Sequence, residues 1–275
     1  MFRTLSNDVW VSHPQGRIFA RIWTPASATT KPQSATPVLL FHDSLGCVEL
    51  WRGFPAELSA ATGRPVIAYD RLGFGRSDPR ADKLVPGNFI ADEAKTYFPI
   101  LREQLGLRRF AAFGHSVGGA MAVNCAGQFA SDCEALVTES AQVFPEDRTL
   151  QSIRSAREQF TDNKQLERLR KYHGEKAKWV VEAWTESWLH PEFASWSIAS
   201  VLPQVTCPVL AIHGIHDEYG TTRHPEMIGQ LSSGPCRVEI IPDTYHVPHH
   251  ERQEIVIRLV AEFLSSVQCE SDVTL

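Results

Sequence analysis

The sequence predicts an α/β fold: a doubly wound, mostly parallel eight-stranded sheet with helices on both faces and a helical cap inserted before the last strands. Three observations predict it. Five short apolar runs carry almost no polar alternation, as strands buried on both faces do. Helical stretches separate most of them, which favours parallel strands joined by crossovers. One stretch of about sixty residues then contains no strand-like run at all.

The elements follow in order. Residues 8–13 and 16–24 alternate and are separated by Pro14-Gln15, which predicts an antiparallel hairpin. Residues 26–37 are rich in Thr, Ser, Ala and Pro and read as a surface loop. PVLLFH at 37–42, PVIAYD at 65–70, FAAFGH at 110–115, ALVTE at 135–139 and PVLAIH at 208–213 are the buried runs, and 237–241 makes a last strand. Helices are predicted over about 51–61, 89–105, 117–129 and 251–266. Residues 143–203 form the predicted cap, charged at first and then rich in tryptophan (Trp179, Trp184, Trp188 and Trp196); residues 1–142 and 204–275 form the core. Right-handed crossovers gather the strand C-termini along one edge, where sites form.

Composition excludes several classes. Hydrophobic residues make up 43% of the chain and charged ones 21%, enough apolar material for a sizeable core. The net charge of −5 and the lack of a long basic run argue against nucleic acid or an anionic membrane as partner. No apolar stretch is long enough for a transmembrane helix, and the first ten residues carry no apolar leader, so no secretory signal is expected. The six cysteines lack metal-like spacing and read as reduced thiols of a cytoplasmic protein. No metal and no cofactor is expected.

The chemistry concentrates at Gly114-His115-Ser116-Val117-Gly118-Gly119, which follows a buried run and precedes a helical stretch. This is G-x-S-x-G in strand-turn-helix context, where small residues let strand and helix approach and leave the serine Oγ exposed on a strained turn. A packed glycine-rich turn without chemistry is the plain alternative. A serine hydroxyl needs a base, and the base needs an orienting acid. Asp217 lies in the loop after the run at 208–213, and His246 lies in the loop after the last strand, so the order is Ser116, Asp217, His246. Glu139, at the end of the strand after the nucleophile helix, is the rival acid, and Asp243 a weaker one. His249 and His250 are expected as capping or surface groups, and His216 as exposed.

Acyl transfer places negative charge on a carbonyl oxygen, and two fixed N–H donors stabilise it. The N–H of Val117 is the first expected donor. The loop His42-Asp43-Ser44-Leu45-Gly46 follows PVLLF, and the N–H of Ser44 is the second. His42, His115, Trp184 and Trp188 are the expected substrate-binding side chains; for the tryptophans, packing between cap and core is the alternative role.

With these residues in place the chain resembles the α/β-hydrolase superfamily, in particular its capped, esterase-like members. The resemblance runs from about residue 16 to 264 and rests on the 42–46 loop, on Asp70-Arg71-Leu72-Gly73-Phe74-Gly75-Arg76-Ser77, on the Ser116 elbow, on 214–217 and on His246-Val247-Pro248. Arg71 and Arg76 read as surface or packing residues of a structural turn. Relatives often carry His-Gly where this chain has His42-Asp43, which places a carboxylate beside the expected oxyanion. A serine at 116 argues against haloalkane dehalogenase and epoxide hydrolase, which use aspartate there.

The resemblance implies a hydrolase acting on a small-molecule, ester-like substrate through an acyl-Ser116 intermediate. Carbon–carbon cleavage of a diketone-like ring-cleavage product is the alternative reaction, and thioester, lactone or amide cleavage also fits. A ligand receptor on the same fold is the non-enzyme alternative, and a cofactor-free oxygenase a further one. The sequence leaves a homodimer open.

Overall fold

A computed structural model describes residues 4–26, 36–80 and 88–273, with side chains described to residue 267. Most of the loop expected at 26–37 lies outside the described residues. The eight strands are β1 (Thr4–His13), β2 (Gly16–Pro25), β3 (Val38–Phe41), β4 (Val66–Tyr69), β5 (Phe110–His115), β6 (Cys133–Glu139), β7 (Val209–Gly214) and β8 (Cys236–Ile241). They form one sheet in the order β1-β2-β4-β3-β5-β6-β7-β8. β1 pairs with β2 and β2 with β4 antiparallel, and every other pairing is parallel.

Two cores, one on each face, explain why the central strands show no polar alternation. Leu39, Phe41, Phe110, Ala112 and Leu136 face one core, with Phe98 and Met121 packed on them. Val38, Leu40, Ala111, Phe113 and Val137 face the other, against Phe54, Val256 and Val260. Successive side chains point to opposite faces, so a strand covered on both sides must be apolar throughout. β1 at the edge keeps several exposed positions, and its Asp8 pairs with Arg21 and Arg76.

The predicted helices are present with shifted ends. The first begins at Phe54 because a 3-10 turn, Val48–Trp51, precedes it. The second is continuous in chain but passes through a π-helical turn, Glu93–Tyr97. The last begins at Gln253, after a short turn, Pro248–Glu251. Between β6 and β7 the chain is helical, with helices Asp147–Gln159, Asn163–His173 and Ala177–Trp188 and then short 3-10 turns. Trp179 packs against Gly73 and the Phe74 ring, and Trp196 stacks on Phe193. None of the described helices is long and apolar enough to cross a membrane.

Candidate active site

Ser116 sits between β5 and the helix Val117–Gln128 with φ 55° and ψ −126°, a backbone conformation that non-glycine residues rarely adopt. Two flanking glycines make that turn sterically accessible. A Cβ on Gly114 would lie 2.2 Å from the Gly118 carbonyl oxygen, and one on Gly118 would lie 2.1 Å from that of Phe41. The G-x-S-x-G spacing is thus a packing requirement of three backbones meeting at one point.

The other two predicted residues converge on this serine. The Ser116 hydroxyl donates to His246 Nε2 at 3.0 Å. His246 Nδ1–H donates to the Asp217 carboxylate, with both oxygens at 2.9 Å. All three side chains are buried. Burial raises the Asp217 pKa, but the imidazoles of His246 and His213 and the Tyr219 N–H, which donates at 2.7 Å, bring it down to about 2. The carboxylate is therefore ionised and holds the imidazole in the tautomer whose Nε2 accepts from serine.

The strand-free segment helps hold the acid. From the helix Asp147–Gln159, Arg148 donates to the Asp217 carbonyl at 3.0 Å, Ser152 donates to that of Glu218 at 2.7 Å, and Thr149 donates to that of Tyr219. Tyr219 in turn packs its ring on His246, with centroids 4.7 Å apart. None of these contacts was legible from the sequence, because a positively charged surface helix and an Asp-Glu-Tyr loop carry no pairing signal.

Ser116 and His246 open into a cavity of about 270 Å³, walled by Ser44, Leu45, Ile153, Trp184, Trp188 and Gln142, with Glu218 and Tyr219 beside them. Trp184 and Trp188 are part of its wall. The N–H groups of Ser44 and Val117 have no hydrogen-bond partner among the described residues, which leaves both free to donate. Gln142, which follows β6, was not anticipated.

His42 and His115 do not line this cavity. They line a neighbouring pocket of about 330 Å³, divided from the first by Asp43, Leu45 and Val247. Their nitrogens are committed elsewhere. His42 Nδ1–H donates to the Asp43 carbonyl at 2.8 Å, and its Nε2 accepts from the Arg71 N–H at 3.1 Å. Burial and the Arg71 charge hold its pKa well below the ordinary value. Arg71 is itself buried and donates to the Asp43 carbonyl at 2.6 Å, so it braces the loop.

His115 answers the question raised by Asp43. Its Nε2–H donates to the His246 carbonyl at 2.9 Å, and its Nδ1 lies 3.5 Å from Asp43 Oδ2. Burial opposes its charge, yet Asp43 and Glu139 together lift its pKa to about 9. Asp43 is held well below the usual carboxylate range, because that imidazolium overcomes burial. The other Asp43 oxygen accepts from the Leu45 N–H at 2.9 Å. The carboxylate is thus paired and neutralised where it borders the Ser116 cavity.

The rival residues form a second pair. Glu139 is fully buried and accepts from His249 Nδ1–H; it does not touch His246. Burial raises the Glu139 carboxyl, but the His249 and His115 rings bring it down. His249 is therefore not a capping or surface group: it is buried against Trp51 and Phe54, where an unpaired imidazole would be costly. His250 is half-buried, with Nε2–H donating to the Leu50 carbonyl at 3.0 Å. His216 is exposed, as expected, and so is Asp243. His115, Glu139 and His249 offer ligand atoms within 4.8 Å of one another, the one such trio among the described residues, and Glu139 Oε1 has no hydrogen-bond partner among them.

Comparison with known proteins gives the same fold. A family model for the alpha/beta hydrolase fold matches residues 36–164. Human 1-acylglycerol-3-phosphate O-acyltransferase ABHD5 is 33% identical over 131 residues, 46% of this chain and 35% of that protein, so the match spans about a third of its length. Human serine hydrolase BPHL is 25% identical over 208 residues, 72% of this chain and 69% of that protein. The crystal structure of proline iminopeptidase from Mycobacterium smegmatis superposes with a TM-score of 0.73 at 22% identity, covering 96% of this chain and all of that one.

Proposed function

As this chain is a member of the α/β-hydrolase superfamily, we propose that it is a serine hydrolase that cleaves a small carboxylic ester through an acyl-enzyme on Ser116. The observation that carries the reading is the unbroken relay from Ser116 Oγ to His246 Nε2 at 3.0 Å and from His246 Nδ1 to Asp217 at 2.9 Å, opening into a cavity. Human serine hydrolase BPHL, which matches over most of both chains, supports the same class.

His246 takes the hydroxyl proton as Ser116 Oγ adds to the ester carbonyl carbon. The Asp217 carboxylate stabilises the imidazolium that forms. The N–H groups of Val117 and Ser44 receive the oxyanion, each worth a few kcal/mol in the transition state. The bond to the alcohol oxygen then breaks, and His246 returns its proton to the departing alcohol. A water next gives a proton to His246 and adds to the acyl carbon, and Ser116 leaves with that proton as the carboxylic acid forms. Asp43 does not oppose the oxyanion because His115 neutralises it. Cytoplasmic residence belongs to the same reading, supported by the free thiols at Cys47, Cys125, Cys133, Cys207 and Cys236.

The test is a panel of p-nitrophenyl esters of rising acyl length, run beside Ser116→Ala. The wild type is expected to cleave at least one short or medium ester. Ser116→Ala is expected to lose roughly three orders of magnitude or more of that rate. Equal rates in the two proteins would remove Ser116 from the mechanism.

A further inference from the structure

One buried imidazole that the relay does not use belongs to the helical segment between β6 and β7. His173 ends the helix Asn163–His173 and is 1% exposed. Both of its ring nitrogens bond to the core. Nδ1 accepts from the Gly75 N–H at 2.8 Å, and Nε2–H donates to the Leu45 carbonyl at 2.9 Å. A backbone N–H can only donate, so the bond from Gly75 places the ring proton on Nε2. Burial brings the ring's pKa down to about 4, which keeps it neutral and its Nδ1 an acceptor. Lys176 nearby donates to the carbonyls of Gly75 and Ser77, both at 2.7 Å. Both residues fasten the segment to the 70–77 turn, but of the two only His173 reaches the loop after β3.

The Leu45 carbonyl and the Gly46 N–H belong to one planar amide, as do the Asp43 carbonyl and the Ser44 N–H. The Gly46 N–H donates to the Asp43 carbonyl at 3.3 Å. Two peptide planes therefore lie in series between His173 Nε2–H and the Ser44 N–H, the second donor assigned to the oxyanion. Carbonyl and N–H point in opposite directions in a trans amide, so whatever holds the Asp43 carbonyl also aims the Ser44 N–H. Arg71 and His42 hold that carbonyl from the core, at 2.6 and 2.8 Å. The Gly46 bond is the longest of the three, and its amide is the one that His173 grips. Hydrogen bonds in such a chain polarise one another, so each strengthens the next.

We propose that His173 is a positioning residue that couples the seating of the helical segment to the oxyanion site, by holding the Leu45–Gly46 amide so that the Ser44 N–H is aimed at the substrate's carbonyl oxygen. His173 is not in the wall of the Ser116 cavity and takes no part in proton transfer. With the segment unseated, the loop loses its hold at Leu45, and an ester binds without full stabilisation of its oxyanion. This assignment rests on the hydrolase reading above and adds to it a residue from outside the cavity.

Glutamine and asparagine separate the two bonds of the ring, because the glutamine amide nitrogen reaches the position of Nε2 and the asparagine amide oxygen that of Nδ1. On a p-nitrophenyl ester that the wild type cleaves, His173→Gln is expected to keep kcat within about threefold. His173→Asn is expected to lose roughly ten- to a hundredfold in kcat, with KM changed by less than about threefold. Lys176→Met loosens the same seam without touching Leu45. It is expected to lower the unfolding temperature and to leave kcat within about threefold. A further measurement needs no variant: when an alkyl trifluoromethyl ketone adds to Ser116 in the wild type, the Ser44 and Gly46 amide protons are expected to move downfield together. Equal kcat loss in His173→Gln and His173→Asn, no loss in His173→Asn, a matching loss in Lys176→Met, or a Gly46 proton that stays put overturns this inference. Ser116-dependent turnover in the wild type would then leave the hydrolase reading standing. Absence of any such turnover overturns both.

Discussion

Two buried histidine–carboxylate pairs lie side by side at the carboxyl edge of the sheet, and only one is placed for chemistry. Asp217–His246 presents a free Nε2 to Ser116 and to the cavity walled by Trp184 and Trp188. Glu139–His249 sits behind it, with the His249 ring packed among Trp51, Phe54 and His115. The donors and acceptors are of the same kind in the two pairs. What differs is what stands next to the imidazole: a strained serine in one case, aromatic packing in the other. A histidine–carboxylate pair is therefore a positional device, and its role is set by the third group it meets.

The two pairs are also linked. His115 bridges the Asp43 carboxylate on the loop after β3 to the carbonyl of His246, and its charge is supported by Glu139. The rear pair thus helps hold the front one, and the bridge ties together the two loops that must keep register around Ser116.

The largest expected effect comes from breaking one pair at a time. Asp217→Asn should lower kcat on a cleaved ester by roughly 10²–10⁴-fold, since the imidazole loses the partner that fixes its tautomer. Glu139→Gln should lower it by less than about tenfold in protein that remains folded, because the front relay is intact. Comparable losses in the two variants would erase the distinction between the pairs.

An intermediate effect is expected at the bridge. The groups facing His115 are Asp43, Glu139, His246 and His249, with Trp51 against its ring. Its pKa is raised from 6.5 to about 9, so its contribution to stability is complete below about 6.5 and is lost as pH rises through about 9. Wild-type activity on an alkyl ester, followed in a pH-stat, should therefore fall on an alkaline limb near pH 9. His115→Gln should lower kcat about tenfold with little change in KM and should lack that limb. A limb that persists in the variant would assign it to another group.

The smallest effect on rate, and the clearest on stability, belongs to the rear pair. Removing one partner from a fully buried pair leaves the other uncompensated, at a cost of about 3–5 kcal/mol. Glu139→Ala should lower the midpoint of urea unfolding accordingly. His249→Ala should do the same, while exposed His216→Ala should not move it. An unchanged midpoint in both rear-pair variants would show that the pair is dispensable to the fold.

Much of this was legible in the chain. The two-sided burial of the central strands left apolar runs such as VLLF and FAAF, and the steric demand of the elbow left Gly114 and Gly118 around Ser116. Asp217 and His246 were legible because each follows a strand, β7 buried throughout and β8 partly exposed, in the loop at the edge that faces Ser116. The rear pair was not, since His249 lies in a polar-looking Pro-His-His-Glu turn and its burial depends on Trp51 and Phe54, far away in sequence. His42 and His115 were misplaced into the substrate cavity for a related reason. Adjacency in sequence to Asp43 and Ser116 does not say which way a ring turns, and both turn to the far side of the loop.

The most direct test of the central claim is mass-spectrometric mapping of a fluorophosphonate adduct on the folded wild type, Asp217→Asn and Glu139→Gln proteins. The relay requires a single adduct on the peptide containing Ser116, formed much more slowly in Asp217→Asn and at a near-normal rate in Glu139→Gln. An unlabelled Ser116 in folded protein, or an adduct that forms as fast without Asp217 as with it, would contradict the assignment of Ser116, His246 and Asp217 as one working unit.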